Sequence, residues 1–288
     1  MKDTVRPPWD RSRTLAVLTW AYVIWSLVPV VIAIAFSFND GRSRSTWQGF
    51  STRWWTGSEG SLLDSDDLRQ AIINSLVLAI VTIVVATPLG VALAIGLSRW
   101  RSRAASGSNV VMLVPLVTPE IVLGASFFIV FTQLYTAVEL GRPAQIVGHI
   151  TFTLSFVVVI VRSRLASIGT TLQEAARDLG ATPRQALRLV ILPQLWPAII
   201  ASIVIVFATS IDDFVVSSFL SGPGSDTVPM RIYNQARGGA TPALNAMASM
   251  MLFVTIGAIA LALGALAVAR KRSGGRAAAV EDFTGFSV

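Results

Sequence analysis

The sequence has no cysteine, one histidine, and few charges: Asp, Glu, Lys and Arg make up 14% of its 288 residues. Without cysteine there is no disulfide framework, no thiol nucleophile and no thiolate-held metal. His149 stands alone, so no site that needs two imidazoles can form. A Ser–His nucleophile within the membrane is not indicated either, because His149 has no Gly-x-Ser-Gly context. It reads as an interfacial histidine at the outer edge of an apolar run. No Gly-x-x-x-x-Gly-Lys-Ser/Thr stretch is present, so the chain does not cradle ATP through a phosphate loop. The short glycine pieces Gly222-Pro223-Gly224 and Gly238-Gly239 read as loop punctuation.

What is present is apolar. Hydrophobic residues make up 53% of the chain, and the mean hydropathy is +0.65. A net charge of +7 would suit nucleic acid, but the basic residues alternate with apolar blocks instead of lining one face. Nearly uncharged runs lie at 14–38, 72–98, 108–132, 146–161, 197–221 and 244–269. A spanning helix needs about 20 apolar residues, and most of these runs are long enough. The run at 146–161 is short and extends through Arg162 and Arg164, whose long stems can reach the interface. The alternation of barrel strands is absent, which leaves six helices. The first run has a basic leader and an Ala33-x-Ala35 site like a signal peptide. Its apolar stretch is about twice a signal core of ~7–15 residues, so it reads as an uncleaved anchor.

With the N-terminus inside, 16 of the 23 Lys and Arg residues fall on inner segments and 7 on outer ones. That bias puts both termini in the cytoplasm. The domain plan is then a cytoplasmic leader at 1–13, a membrane domain at 14–269 with a cytoplasmic loop at 166–196, and a tail at 270–288. The tail from Ser273 reads as disordered.

The loop at 166–196 carries the strongest local signal. Thr171 with Glu174 three residues on reads as a capping box opening a short helix. Leu172, Ala175, Ala176 and Leu179 give it one narrow apolar face, and Gly180 supplies a left-handed stop. Thr182, Pro183 and Gln185 start a second helix, expected to run to Leu192 and stop at Pro193 and Pro197. Either the hairpin lies on its own membrane surface or it is a plug for another chain. The mixed charges Arg177, Asp178, Arg184 and Arg188 favour the plug.

Three acids lie inside the apolar runs: Glu120, Asp212 and Asp213. A charge at the bilayer centre costs about 2.5–3.5 kcal/mol on insertion scales and usually marks a substrate path. Glu120 follows Pro115 and Pro119, which should kink the third span. At ~1.5 Å per residue it sits roughly 18 Å from the cytoplasmic end, and Asp212 about 22 Å along the fifth span from Pro197. On a continuous helix Asp213 shares a stripe with Thr209, Ser210 and Ser217 and faces the lumen, while Asp212 turns toward a partner or gate. No lysine or arginine sits at comparable depth. Either the acids are neutralised by protons or a partner's basic residue, or they meet a cationic substrate.

The run Glu174-Ala175-Ala176, Gly180, and Val190-Ile191-Leu192-Pro193 resembles the cytoplasmic loop of permease subunits in ATP-binding-cassette (ABC) importers. Val190 stands where that pattern has Ile. Segments 114–124, 212–219, 221–224 and 228–233, with Trp47-x-Gly49-Phe50-Ser51, are similar to the spermidine/putrescine permease family, its second permease subunit in particular. The resemblance implies an all-α integral membrane protein with six transmembrane helices, the type I ABC importer permease fold and a cytoplasmic coupling helix. It implies ATPase coupling through Glu174, Ala175, Ala176, Gly180, Leu192 and Pro193, and a polyamine path through Glu120, Asp213, Asp212 and Trp47. Trp47 would add a cation–π contact, worth about 0.5–2 kcal/mol; its alternative, with Trp54 and Trp55, is an interfacial aromatic belt. The implied partners are an ABC ATPase dimer, a second permease subunit, an extracytoplasmic solute-binding protein and membrane lipid. ATP and Mg would belong to the ATPase, no cofactor to this chain, and the location is the bacterial cytoplasmic membrane. The rival is a proton-coupled secondary transporter or channel, with Glu120 and Asp213 as relay groups. Such a carrier has no use for an ATPase-docking hairpin.

Overall fold

The computed structural model describes residues 13–43, 46–57, 60–99, 103–238 and 242–284. The leader residues 1–12, Arg44, Glu59, Arg101 and Gly239 lie outside the described residues. The chain divides into two compact units, residues 1–66 with 235–251 and residues 67–234 with 252–288.

In the first unit, α1 (Arg13–Phe36) runs for 24 residues without one buried side chain. An apolar helix exposed on every side is unstable in water and ordinary in lipid, where its backbone groups are satisfied internally. The loop after it is ordered by its own polar contacts. Asp40 N–H donates to Gly49 O at 2.9 Å and Ser51 N–H to Phe38 O at 2.8 Å. The buried Asn39 accepts from Gln48 N–H through Oδ1 at 2.7 Å, and its carbonyl takes the Trp54 indole N–H at 2.8 Å. Trp54 is therefore buried within the loop and not part of an aromatic belt. Phe38 stacks on both Phe50 and Trp55.

The second unit holds most of the helices: α2 (Asp66–Arg99), α3 (Arg103–Val117), α4 (Glu120–Ile129), α5 (Arg142–Ile168), α6 (Thr171–Asp178), α7 (Pro183–Ala186), α8 (Leu192–Asp212), α9 (Val215–Phe219), α10 (Val228–Gly238) and α11 (Pro242–Thr284), of which α2, α10 and α11 extend across the unit boundary. Its main core joins Ala94 and Leu97 of α2, Val157, Val158 and Val161 of α5, and Leu195 and Val206 of α8. Gly90 lets α2 close on α5: a Cβ there would lie 2.6 Å from Val157. A smaller core of Phe131, Ala144, Val216 and Leu220 seats α9 against α4 and α5.

Among the described residues, five helices are long and apolar enough to cross a membrane, and a bent pair makes the sixth candidate. The short fourth run extends as expected: α5 spans 27 residues and includes Arg162 and Arg164. Five expectations are corrected. The third span is broken, not kinked, with a 111° bend between Val110–Val117 and Glu120–Leu134. Pro119 has no N–H to continue the ladder and drives Thr118 out of the helical region, so Glu120 opens α4 and does not sit mid-helix. The fifth span ends at Asp212, because Asp213 is extended with ψ 121°. The second hairpin helix does not stop at Pro193. It passes through a π turn (Leu187–Ile191) into α8, where Pro193 occupies the first turn and needs no N–H. Thr171 caps nothing: it lies inside α6, whose cap position is Thr170. Finally, the tail read as disordered continues α11 to Thr284, in keeping with the helix propensity of its Ala277-Ala278-Ala279 run.

Candidate functional site

Where α3 breaks and α8 ends, the two interruptions face one cavity of about 660 Å³. Glu120 enters it from the first turn of α4, and Asp212 and Asp213 from the end of α8. Phe152 and Phe156 of α5 and Phe214 form aromatic walls, and Pro115, Thr118 and Thr209 complete its middle. Among the described residues, no lysine or arginine lines it. Such a space offers anionic oxygens to a cation and ring faces to a methylene chain or an ammonium group.

The structure separates the two aspartates by burial. Asp212 is the exposed one, and Asp213 is buried with 9% of its surface accessible. Asp213 Oδ2 accepts the Ser217 N–H at 2.7 Å, and Oδ1 the Val216 N–H at 3.3 Å. The carboxylate thus takes the first amides of α9 from a position just before Phe214, its formal cap. His149 Nε2 lies 3.2 Å from Oδ2. The helical stripe argued for Asp213 does not exist, because the helix on which it was drawn ends one residue earlier. Glu120 and Asp212 make no salt bridge among the described residues. His149, read as an interfacial residue, is wholly buried within the protein.

Trp47 belongs to the other unit, where it is half exposed and packs edge-on against Phe36 with ring centroids 6.2 Å apart. Sequence reasoning missed Phe152, Phe156 and Phe214. Phe152 and Phe156 share a helix face at i, i+4, but nothing local separates a lipid-facing phenylalanine from a cavity-facing one.

The hairpin is built largely as its residues suggest. Gly180 adopts φ +87°. Its N–H donates to Arg177 O at 2.9 Å and the Ala181 N–H to Ala176 O at 3.0 Å, the paired bonds of a Schellman stop. Thr182 and Gln185 form a reciprocal capping box around Pro183. The apolar face lies open: Leu179 is 90% exposed, and Glu174 and Ala175 are exposed with it. Leu192 is half-buried, and Pro193 is exposed at the start of α8.

Residues 86–273 match the family described as binding-protein-dependent transport system inner membrane component. The spermidine/putrescine transport system permease protein PotC of Escherichia coli (strain K12) is 38% identical over 229 residues, covering 80% of this chain and 84% of that protein. The putrescine transport system permease protein PotI of the same organism is 35% identical over 255 residues, covering 86% and 87%. Among solved structures, a bacterial ABC transporter involved in the import of the acidic polysaccharide alginate superposes with a TM-score of 0.69 over 91% of this chain and 96% of that one. At 19% identity that likeness speaks for the fold alone, which is the type I ABC importer permease fold. A secondary carrier is thereby set aside. The chain belongs to the family of binding-protein-dependent transport system inner membrane components, and is a permease of an ABC importer rather than an enzyme.

Proposed function

We propose that this permease carries a polyamine or a similar small organic cation. The acidic cavity carries the reading: Glu120 and Asp212 face a space with aromatic walls and, among the described residues, no basic side chain in its lining. An alkyl diamine or triamine matches both halves of that chemistry, its ammonium groups meeting carboxylates and its methylenes the rings. The names of PotC and PotI point to the same class of solute. Trp47 offers a further aromatic face in the first outer loop.

The energy would come from a separate ATPase dimer docked on the open face of the α6–α7 hairpin. The exposure of Leu179 and the rigid Gly180 stop support this, since a stiff apolar knob on a short hairpin transmits a push. A second permease chain would complete the path, and an extracytoplasmic binding protein would deliver the solute. The excess of inner Lys and Arg supports cytoplasmic termini.

The test is reconstitution in liposomes with a cognate ATPase, second permease and binding protein. ATP-dependent uptake of labelled spermidine or putrescine is expected, with little uptake of an organic anion. Glu120→Gln and Asp212→Asn should each reduce uptake without loss of assembly. Full uptake in both variants would remove these acids from the path, and preference for an anion would sink the substrate class.

A further inference from the structure

His149 is wholly buried in a spanning helix, and the transport reading has not used it. From α5 it reaches both sides of the break between α8 and α9. Its Nδ1 lies 2.9 Å from Ser210 Oγ near the end of α8. Its Nε2 lies 3.0 Å from Ser217 Oγ in α9 and 3.2 Å from Asp213 Oδ2 in the break itself. An ionised carboxylate only accepts, so Nε2 donates there, while a hydroxyl beside Nδ1 can serve as donor or acceptor. Ser210 and Ser217 are themselves buried. The ring also meets Phe152, a wall of the cavity, edge-on at 5.3 Å.

In an unbroken helix the Val216 and Ser217 amides would bond the carbonyls of Asp212 and Asp213. Here the Asp213 carboxylate takes both amides instead. That substitution stabilises the break, and His149 holds the carboxylate in place to make it.

We infer that His149 is a positioning residue. It commits Asp213 to the interior, fixes the α8–α9 break, and so turns Asp212 into the cavity, leaving Asp212 and Glu120 as the carboxylates open to a cation. The inference rests on the cation-path reading and deepens it.

The chain has no cysteine, so a single introduced one is uniquely addressable within this subunit. In the assembled transporter, Asp212→Cys should react with a small cationic methanethiosulfonate, and spermidine should slow the reaction. Adding His149→Leu should lower the labelling rate about tenfold, as expected within one hydrogen-bond network. His149→Gln, which keeps a donor, should restore much of it. Thr118→Cys, elsewhere on the same cavity, should keep its rate in every background. An unchanged rate at position 212, or an equal fall at position 118, overturns the inference. Should His149→Leu fail to assemble, Ser210→Ala must give a smaller loss in the same direction, and no loss there overturns it too. If spermidine gives no protection while the His149 effect persists, the cation reading fails alone. If protection is seen without that effect, the positioning role fails alone.

Discussion

The side-chain amide of Asn74 donates to the backbone carbonyl of Gly224 at 2.9 Å, tying α2 to the loop after α9. Its second hydrogen goes to Asp226 O, also at 2.9 Å, and its Oδ1 accepts from Gln70 and Arg142. Every donor and acceptor of this buried amide is used. The next residue, Ser75, accepts the Val228 N–H through Oγ at 2.9 Å and extends the same seam to α10.

Asn74→Ala should therefore destabilise the permease. It leaves two carbonyls and Arg142 without their partner, and an unsatisfied buried polar group costs about 1–3 kcal/mol. The purified transporter should melt several degrees lower. An unchanged melting temperature would mean that water replaces the amide without loss.

Two glycines separate close approach from mere permissiveness. At Gly222 a Cβ would lie 2.6 Å from the carbonyl oxygen of Leu140, and backbone cannot step aside as a side-chain tip can. Gly222→Ala should cost about 1–3 kcal/mol by overpacking. At Gly96 nothing lies within 4 Å, so Gly96→Ala should be neutral or stabilise α2 by up to about 1 kcal/mol. Thermal melting of the two variants in detergent checks both, and similar values for the pair would contradict the geometry.

Gly180→Ala should weaken coupling and spare insertion. Its φ of +87° is strained for any residue with a Cβ, at a cost of order 1–3 kcal/mol. Membrane yield should match wild type while ATP-dependent uptake and stimulated ATP hydrolysis fall together. Gly180→Asn, better tolerated in this region, should fall less. Wild-type transport in Gly180→Ala would show that the Schellman stop is not needed for the push.

The two hairpin threonines should behave differently. Thr182 accepts the Gln185 N–H at 3.3 Å within a complete capping box, so Thr182→Ala should cost about 1 kcal/mol. Thr171 makes no cap hydrogen bond at the first position of α6, and alanine is at least as good a helix former there. Hydrogen exchange over α7 and the following turn should quicken for Thr182→Ala and stay unchanged across α6 for Thr171→Ala. Equal behaviour would undo the distinction.

The hairpin was legible because its signals are local. Gly180 and the Thr182-Pro183-Gln185 start act over three or four residues, and the structure keeps them. Thr171 shows the limit of such signals, since an equally good Thr-x-x-Glu pattern can lie one residue inside the helix. The prolines at 115 and 119 pointed to a disturbed third span, but not to a 111° break. Pro193 and Pro197 looked like stops and are absorbed, one in a first turn after a π turn and one within α8. A proline forbids a hydrogen bond; whether the chain then bends, widens or ends depends on what packs around it.

By itself, the sequence determined that this chain is built of apolar membrane helices with a stiff hairpin between two of them and acids within apolar runs. Those features follow from hydropathy, capping and charge, which are properties of neighbouring residues. Only the tertiary structure decided which acid is free. Asp212 and Asp213 are adjacent and alike in sequence, and the choice between them was made by His149, Ser210 and Ser217, brought together from α5, α8 and α9. Burial and hydrogen bonding depend on partners far along the chain, and no local pattern encodes them.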